Sequence, residues 1–228
     1  MLANNTSHAN KPLRIAVLVS GSGSNLQVLI DAMQAGALPI EIVGVISNRE
    51  DAYAITRAKD ADIPVAVLSH VASGKRMGIK TFESHASAQL TTWQPDLILL
   101  AGFMRVLSAG FIDNTPAPMI NLHPALLPAY KGLDTHQRVI QAGERQHGCS
   151  IHVVTAELDA GAVLTQAWLE VHQKDTADSL QTRVQKLEHQ LLPCTILLLV
   201  KGVINLNSQS KETFSMLPTL PLKLYLNS

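Results

Sequence analysis

Short runs of β-branched and aliphatic residues alternate along this chain with longer stretches whose apolar positions recur every three to four residues. Runs at residues 14–19, 41–46, 64–68, 96–100 and 118–122 have the length and side-chain type of buried strands. Between the first two, Leu26, Leu29, Ile30 and Met33 fall at i, i+3, i+4 and i+7, one apolar helical face closed by Gly36. Helices are also predicted over 54–61, 79–93 and 135–142, the last ending at Gly143. Such alternation predicts an α/β fold, a mostly parallel sheet with crossover helices. After Gly143 the pattern changes: residues 150–155 and 163–171 read as extended strands, antiparallel additions, before a helix from about Ala177. Residues 205–228 show no period and contain two prolines, Pro218 and Pro221, which predicts a loose tail.

Composition narrows this picture to one domain. With 228 residues, 46% of them hydrophobic, the chain can bury one sizeable core, expected over residues 12–204 with a polar, disordered lead-in at 1–11. Eighteen basic residues balance 18 acidic ones, so no net field draws the chain to nucleic acid or to an anionic membrane. The apolar run at 15–19 is too short for a signal peptide or a membrane span, and the run at 191–200 is interrupted by Pro193 and stops at Lys201. Cys149 and Cys194 form no disulfide-like framework, which predicts reduced thiols and a cytoplasmic setting.

Three segments carry candidate chemistry. Ser20-Gly21-Ser22-Gly23-Ser24-Asn25 lies between the first strand and the first helix, where glycines let the backbone approach an anion and free helix-terminal amides donate to it. The motif lacks the Gly-Lys-Ser/Thr ending of a nucleotide P-loop and, with Val28 in place of a third glycine, the dinucleotide fingerprint. An ordinary tight turn explains it equally well. Ala101-Gly102-Phe103-Met104-Arg105-Val106-Leu107 follows the fourth strand, where open α/β sheets collect ligands and where small residues beside an apolar edge could admit a flat ring. A buried strand and turn is the plainer reading. Asn121-Leu122-His123-Pro124 is more specific. Alternation puts Asn121 and His123 on one side of a strand exit, and Asp159 in Glu157-Leu158-Asp159-Ala160-Gly161 offers a carboxylate from another loop. An amide, an imidazole and a carboxylate can together bind a developing oxyanion and move a proton. The histidines at 8, 70, 85 and 172 lack metal-ligand spacing, whereas His152 lies on the strand leading to Asp159 and is expected to line the cleft as support.

Taken in order, 20–25, 101–107, 121–128, Lys131-Gly132-Leu133, 147–155, 157–161 and 183–189 resemble phosphoribosylglycinamide formyltransferase, the folate-dependent family of purine (IMP) biosynthesis. The resemblance spans residues 14–202. It implies a single-domain, Rossmann-like formyltransferase fold with helices on both sheet faces, passing the formyl group of 10-formyltetrahydrofolate to the amine of glycinamide ribonucleotide without a metal. By position, Gly23, Ser24 and Asn25 would bind the substrate phosphate and Glu188 its ribose or glycinamide part. Arg76, Met104, Arg105, Val106, Leu107, Asn121, Thr155, Ala156, Glu157, Leu158 and Asp159 would contact the folate. Asn121, His123 and Asp159 would be catalytic: Asn121 and an imidazolium at His123 would hold the oxyanion, and Asp159 would assist proton movement. The partners implied are these small molecules, with the chain as a monomer or homodimer.

The chain departs from the family pattern at three places. Ala156 and Ala160 stand where an acid and a glycine are usual, Asp134 stands where a histidine is usual, and Lys75-Arg76 is displaced by about three residues relative to Phe82. Formyltetrahydrofolate deformylase would share the Asn/His/Asp chemistry with water as acceptor but normally carries an added N-terminal domain. Methionyl-tRNA formyltransferase would need a further C-terminal domain and a basic surface. A non-catalytic nucleotide-binding module would explain the glycine loop but not the trio.

Overall fold

A computed structural model describes residues 11–69, 71–72, 75–76, 78–206 and 222–224. Its first strand, β1 (Leu13–Val19), is apolar on both sides because both sides are covered. Ile15, Val17 and Val19 join a core that includes Leu26, Leu29 and Ile30 of α1 (Ser24–Gln34), whereas Ala16 and Leu18 join a second core on the opposite face. The chain continues through β2 (Ile40–Ser47), α2 (Ala54–Asp60), β3 (Val65–Val67) and a two-residue antiparallel pair, β4 (Val71–Ala72) with β5 (Lys75–Arg76). Then come α3 (Ile79–Trp93), β6 (Leu97–Ala101), α4 (Ala109–Asp113), β7 (Met119–His123) and α5 (Thr135–Ala142). The last elements are β8 (Gln146–Val153), β9 (Val163–Glu170), α6 (Ala177–Val200) and β10 (Leu222–Leu224).

The main sheet has eight strands in the order β10-β9-β8-β7-β6-β1-β2-β3. From β3 to β7 all neighbours are parallel, β7–β8 and β8–β9 are antiparallel, and β10 adds parallel to β9. This is the expected α/β architecture with antiparallel strands in the C-terminal half. Helices α1, α2, α5 and α6 supply one core, and α3 and α4 supply the other. Because β1 is flanked by β2 on one side and β6 on the other, the strand order reverses there. A crevice beyond the carboxyl ends of the strands opens at such a reversal.

Four differences from the sequence reading have physical causes. Pro193, read as an interruption of the apolar run at 191–200, lies inside α6, since buried Leu187, Leu191, Leu192, Thr195 and Ile196 lie on both sides of it. Their packing outweighs the lost hydrogen bond, a penalty of about 3 kcal/mol. Helix α4 was not expected; Ser108 starts it by accepting a hydrogen bond from the Phe111 N–H. Strand β8 begins at Gln146 rather than at 150, its extra residues paired with β9. The stretch read as a loose tail contains β10, paired with Thr165, Gln166 and Ala167; residues 1–10, 207–221 and 225–228 lie outside the described residues. No helix among the described residues is long and apolar enough to cross a membrane.

Candidate active site

The glycine loop occupies the exit of β1. Gly23 sits at φ +69° as the residue before α1, and a Cβ there would come within 2.6 Å of the Ala54 Cβ and 2.8 Å of its Cα. Only glycine satisfies both the left-handed backbone and the close approach of α2. The loop is further tied down by the Ala54 N–H donating to the Gly21 carbonyl at 3.1 Å and by Arg57, whose Nε donates to the Ser22 carbonyl at 2.8 Å. No capping side chain takes the first amides of α1, so their partial positive charge faces the crevice.

Helix α6 completes this end. The Asn25 side-chain amide donates to Glu188 at 2.9 Å, and the Gln185 amide donates to the Ser24 hydroxyl at 2.9 Å. Residues 24, 25 and 188, predicted from separate segments, are therefore brought together. Burial raises the Glu188 pKa, opposed by the hydrogen bond from Asn25. Gln185 was missed because, on sequence alone, it is one more polar residue on an amphipathic helix.

The second cluster lies across β7 and β8. Met119 packs into the α3–α4 core, and Asn121 and His123 continue along the same face by alternation. Asn121 pairs with His152 across the antiparallel ladder, and its Nδ2 lies 3.0 Å from His152 Nε2. His152 Nδ1 lies 2.9 Å from the Val153 carbonyl. A carbonyl can only accept, so Nδ1 carries a proton, and Nε2 lies between the Asn121 amide and the Asp159 carboxylate. His152 thus fixes the orientation of the Asn121 amide, the supporting place expected for it.

His123 is 5% exposed. Its Nε2 donates to the Tyr130 carbonyl at 2.9 Å, and its Nδ1 lies 3.5 Å from Asp159 Oδ2. The other Asp159 oxygen lies 3.6 Å from His152 Nε2. Oδ2 also accepts the Gly132 N–H at 2.8 Å, fixing the carboxylate between two loops. Asp159 itself is held at φ +48°, a strained conformation for a non-glycine residue of the kind that clusters at functional sites. The loop reaches this position by a tight reversal after β8: a Cβ on Gly161 would meet the Val153 carbonyl oxygen at 1.9 Å. Position 161 is therefore the one that requires glycine, and alanine is accommodated at 160.

Electrostatically the two groups move in the same direction for different reasons. Burial lowers the His123 pKa, and the Tyr130 carbonyl and the Asp159 carboxylate oppose that only in part. For Asp159, burial acts upward but is outweighed by His152, the Gly132 N–H and the His123 charge, so its pKa is lowered. The cluster thus holds an ionised carboxylate against an imidazole poised toward neutrality. Behind it, His136 and His147 meet with nitrogens 3.0 Å apart. Burial lowers both, His147 to about 4.

Around these groups the surface is apolar. Met104, Val106, Leu133 and Leu158 are 65%, 66%, 71% and 51% exposed, large side chains on the loops that follow β6, β7 and β8. Leu107 turns into the core beneath α3 and α4, and Arg105 lies over the Phe82 ring at 5.1 Å. Thr155, Ala156 and Glu157 are exposed, with Glu157 3.2 Å from Lys131 Nζ. The Arg76 side chain lies outside the described residues. A cavity of about 350 Å³ lies elsewhere, at the amino ends of β1 and β6 between Leu13, Leu97, Leu199 and Ile204. Among the described residues no cluster of His, Cys, Asp or Glu could hold a metal.

An open α/β sheet with a glycine loop at one strand exit and an amide, an imidazole and a carboxylate at another is an arrangement suited to group transfer at a carbonyl. The chain belongs to the formyl transferase family, whose model matches residues 13–196, and is a formyltransferase. Among its relatives are phosphoribosylglycinamide formyltransferases. That of Haemophilus influenzae is 38% identical over 193 residues, covering 85% of this chain and 90% of the relative. That of Escherichia coli is 36% identical over 198 residues, covering 87% and 92%. The structure of the Coxiella burnetii phosphoribosylglycinamide formyltransferase in complex with CHES matches with a TM-score of 0.79 at 46% identity, over 86% of this chain and 91% of that one.

Proposed function

We propose that this chain, through a catalytic domain at residues 12–204, transfers the formyl group of 10-formyltetrahydrofolate to the amine of glycinamide ribonucleotide in purine biosynthesis. The observation that carries this reading is the junction of Asn121, His123, His152 and Asp159 on one face of the sheet, two strands from a glycine loop suited to one phosphate. Two strand spacings separate the sites by about 10 Å, a span suited to a substrate with a phosphate at one end and an amine at the other. Gly23, Ser24 and Asn25 hold the phosphate, and Glu188, facing Asn25, meets the ribose or glycinamide part. The exposed apolar surface of Met104 and Val106, together with the loop of Thr155, Ala156, Glu157 and Leu158, receives the folate.

In the reaction the amine attacks the formyl carbon, a new C–N bond forms, and the carbonyl oxygen takes the negative charge. The Asn121 amide, oriented by His152, donates to that oxygen. His123 keeps one nitrogen on the Tyr130 carbonyl, so Nδ1 is the working atom; at 3.5 Å from Asp159 it is too far for a strong hydrogen bond to the carboxylate. The proton shed by the attacking nitrogen is taken at Nδ1, and Asp159 stabilises the imidazolium that results. That imidazolium supplies the second donor to the oxyanion. When the carbonyl re-forms, the bond to the folate nitrogen breaks and that nitrogen takes the proton, directly or through a water. Removing one such oxyanion donor typically costs about 3 to 4 kcal/mol of barrier.

The direct test follows formyl loss from 10-formyltetrahydrofolate with and without glycinamide ribonucleotide. Loss that requires the ribonucleotide, with formylglycinamide ribonucleotide as product, is expected; equal loss in its absence identifies water as the acceptor and overturns the assignment. We further propose a cytoplasmic monomer or homodimer, which sedimentation of the full chain checks.

A further inference from the structure

The segment that leaves β6 is fixed at both ends by buried polar side chains that take no part in the chemistry above. At its start the Met104 N–H donates to the Ser20 hydroxyl at 2.8 Å, and that hydroxyl donates onward to Asn48 Oδ1 at 2.6 Å. Ser20 and Asn48 are 4% and 3% exposed. The chain of bonds therefore runs across the exits of β2, β1 and β6, through the point where the strand order reverses. At the segment's far end Glu83 of α3, 7% exposed, accepts two bonds from one residue: the Ser108 N–H at 2.6 Å and the Ser108 hydroxyl at 2.8 Å. Between the pins, Phe103 and Leu107 are buried, and Phe103 meets Phe82 at 5.5 Å. Only Met104 and Val106 turn their side chains outward, each by about two thirds of its surface.

A buried carboxylate and a buried hydroxyl so placed carry a desolvation cost that satisfied hydrogen bonds must offset. What they achieve is a short loop with little conformational freedom left to lose when a ligand lies against it. We propose that Ser20 and Glu83 are positioning residues for the formyl donor: they hold the 104–107 segment in its receiving shape before the donor arrives. The Ser20 hydroxyl bonds only Met104 and Asn48, whereas the glycine loop that follows it is held separately by Ala54 and Arg57. The inference rests on the reading of this segment as part of the donor pocket.

The test combines steady-state kinetics of the full chain with amide hydrogen exchange over residues 103–108, for S20A, S20T, E83Q and V106D. In S20A the KM for 10-formyltetrahydrofolate rises about ten-fold, the equivalent of one buried hydrogen bond, while kcat and the KM for glycinamide ribonucleotide stay within about two-fold. Exchange at the Met104 amide accelerates, and exchange in β1 and β6 does not. S20T keeps the hydroxyl and restores both readouts, whereas general destabilisation of the fold would not single out one substrate's KM. E83Q loses one of its two acceptors and gives the same pattern at Ser108, which keeps the test decisive where a Ser20 variant fails to fold. V106D places a charge on the exposed surface without touching the core. Unchanged donor KM in V106D removes the donor pocket from this segment, and the proposal with it. A raised donor KM in V106D with unchanged KM and exchange in S20A and E83Q overturns the pins alone.

Discussion

The glycine loop and the Asn121–His123–Asp159 cluster lie at the exits of strands β1 and β7, separated in the sheet only by β6, yet they are built in opposite ways. The loop is backbone: a left-handed Gly23 fitted against Ala54, uncapped helix amides, and an arginine holding a carbonyl. The cluster is side chain: two histidines, an amide and a carboxylate from β7, β8 and the loop after β8, each oriented by a hydrogen-bond partner. Binding a phosphate requires donors at fixed points, which main chain supplies without titrating. Moving a proton requires groups whose charge can change, and those must be buried, paired and individually positioned. Substitutions should therefore separate the two ends, with losses in substrate affinity at the loop and losses in turnover at the cluster.

The largest effect is expected at Asp159. Asp159→Asn keeps the shape that accepts the Gly132 N–H but removes the charge that stabilises an imidazolium, and kcat should fall about 1,000-fold with a melting temperature close to that of the parent. Near-normal turnover would remove Asp159 from the chemistry. Gly23→Ala should act at the other end. The added methyl collides with Ala54, and the shifted loop should lower kcat/KM for the ribonucleotide about 100-fold while donor KM and saturated turnover change little. A uniform fall in both substrates' parameters would erase the division between the ends.

Acid provides the third contrast, because His136 and His147 sit beside the cluster and, among the described residues, no such pair supports the loop. The His147 pKa is about 4 in the fold against 6.5 for an unperturbed histidine, so between these values the unfolded chain binds more protons than the folded one. Stability is then lost as pH falls through that window, by about 2 kcal/mol at pH 5 from this residue. Denaturant titration at pH 7 and pH 5 measures it, and His147→Gln should reduce the difference by about that amount. The smallest effect is expected at His152. His152→Phe keeps a ring of similar size but frees the Asn121 amide to rotate, and kcat should fall about ten-fold with ribonucleotide KM unchanged. A change confined to KM would place His152 in substrate binding instead.

The difference between the ends also governs how much of each was legible in the sequence. Local features came through: α3 and α5 have the predicted bounds, the strand predicted at 14–19 starts one residue earlier, and that predicted at 96–100 shifts by one residue. The glycine motif lies where a strand period gives way to a helical one, so its place in the fold followed from neighbours in the chain. Residue type and strand alternation already offered Asn121 and His123 with Asp159 as one constellation, and the family resemblance gave each its role; their distances were not legible, because the partners come from β7 and from the loop after β8. Still less visible were contacts between distant positions with no motif around them: Asn121 with His152, Ser24 with Gln185, Met104 with Ser20. Each depends on strand register or on helix packing, which a one-dimensional pattern does not encode. Strand β10 escaped notice because its three residues gain an extended form only by pairing with β9.

Gly161 makes the β8–β9 connection so tight that Asp159 and its exposed neighbour Leu158 share a single short span. On the proposed reading of this rim as part of the donor pocket, a drug or a directed-evolution campaign that reshapes it to admit a bulkier pteridine analogue would tug on the carboxylate at the same time. Resistance and altered donor preference arising here should accordingly come at a cost in catalytic speed, whereas changes at Met104 or Val106, on a separately anchored wall, should leave speed intact.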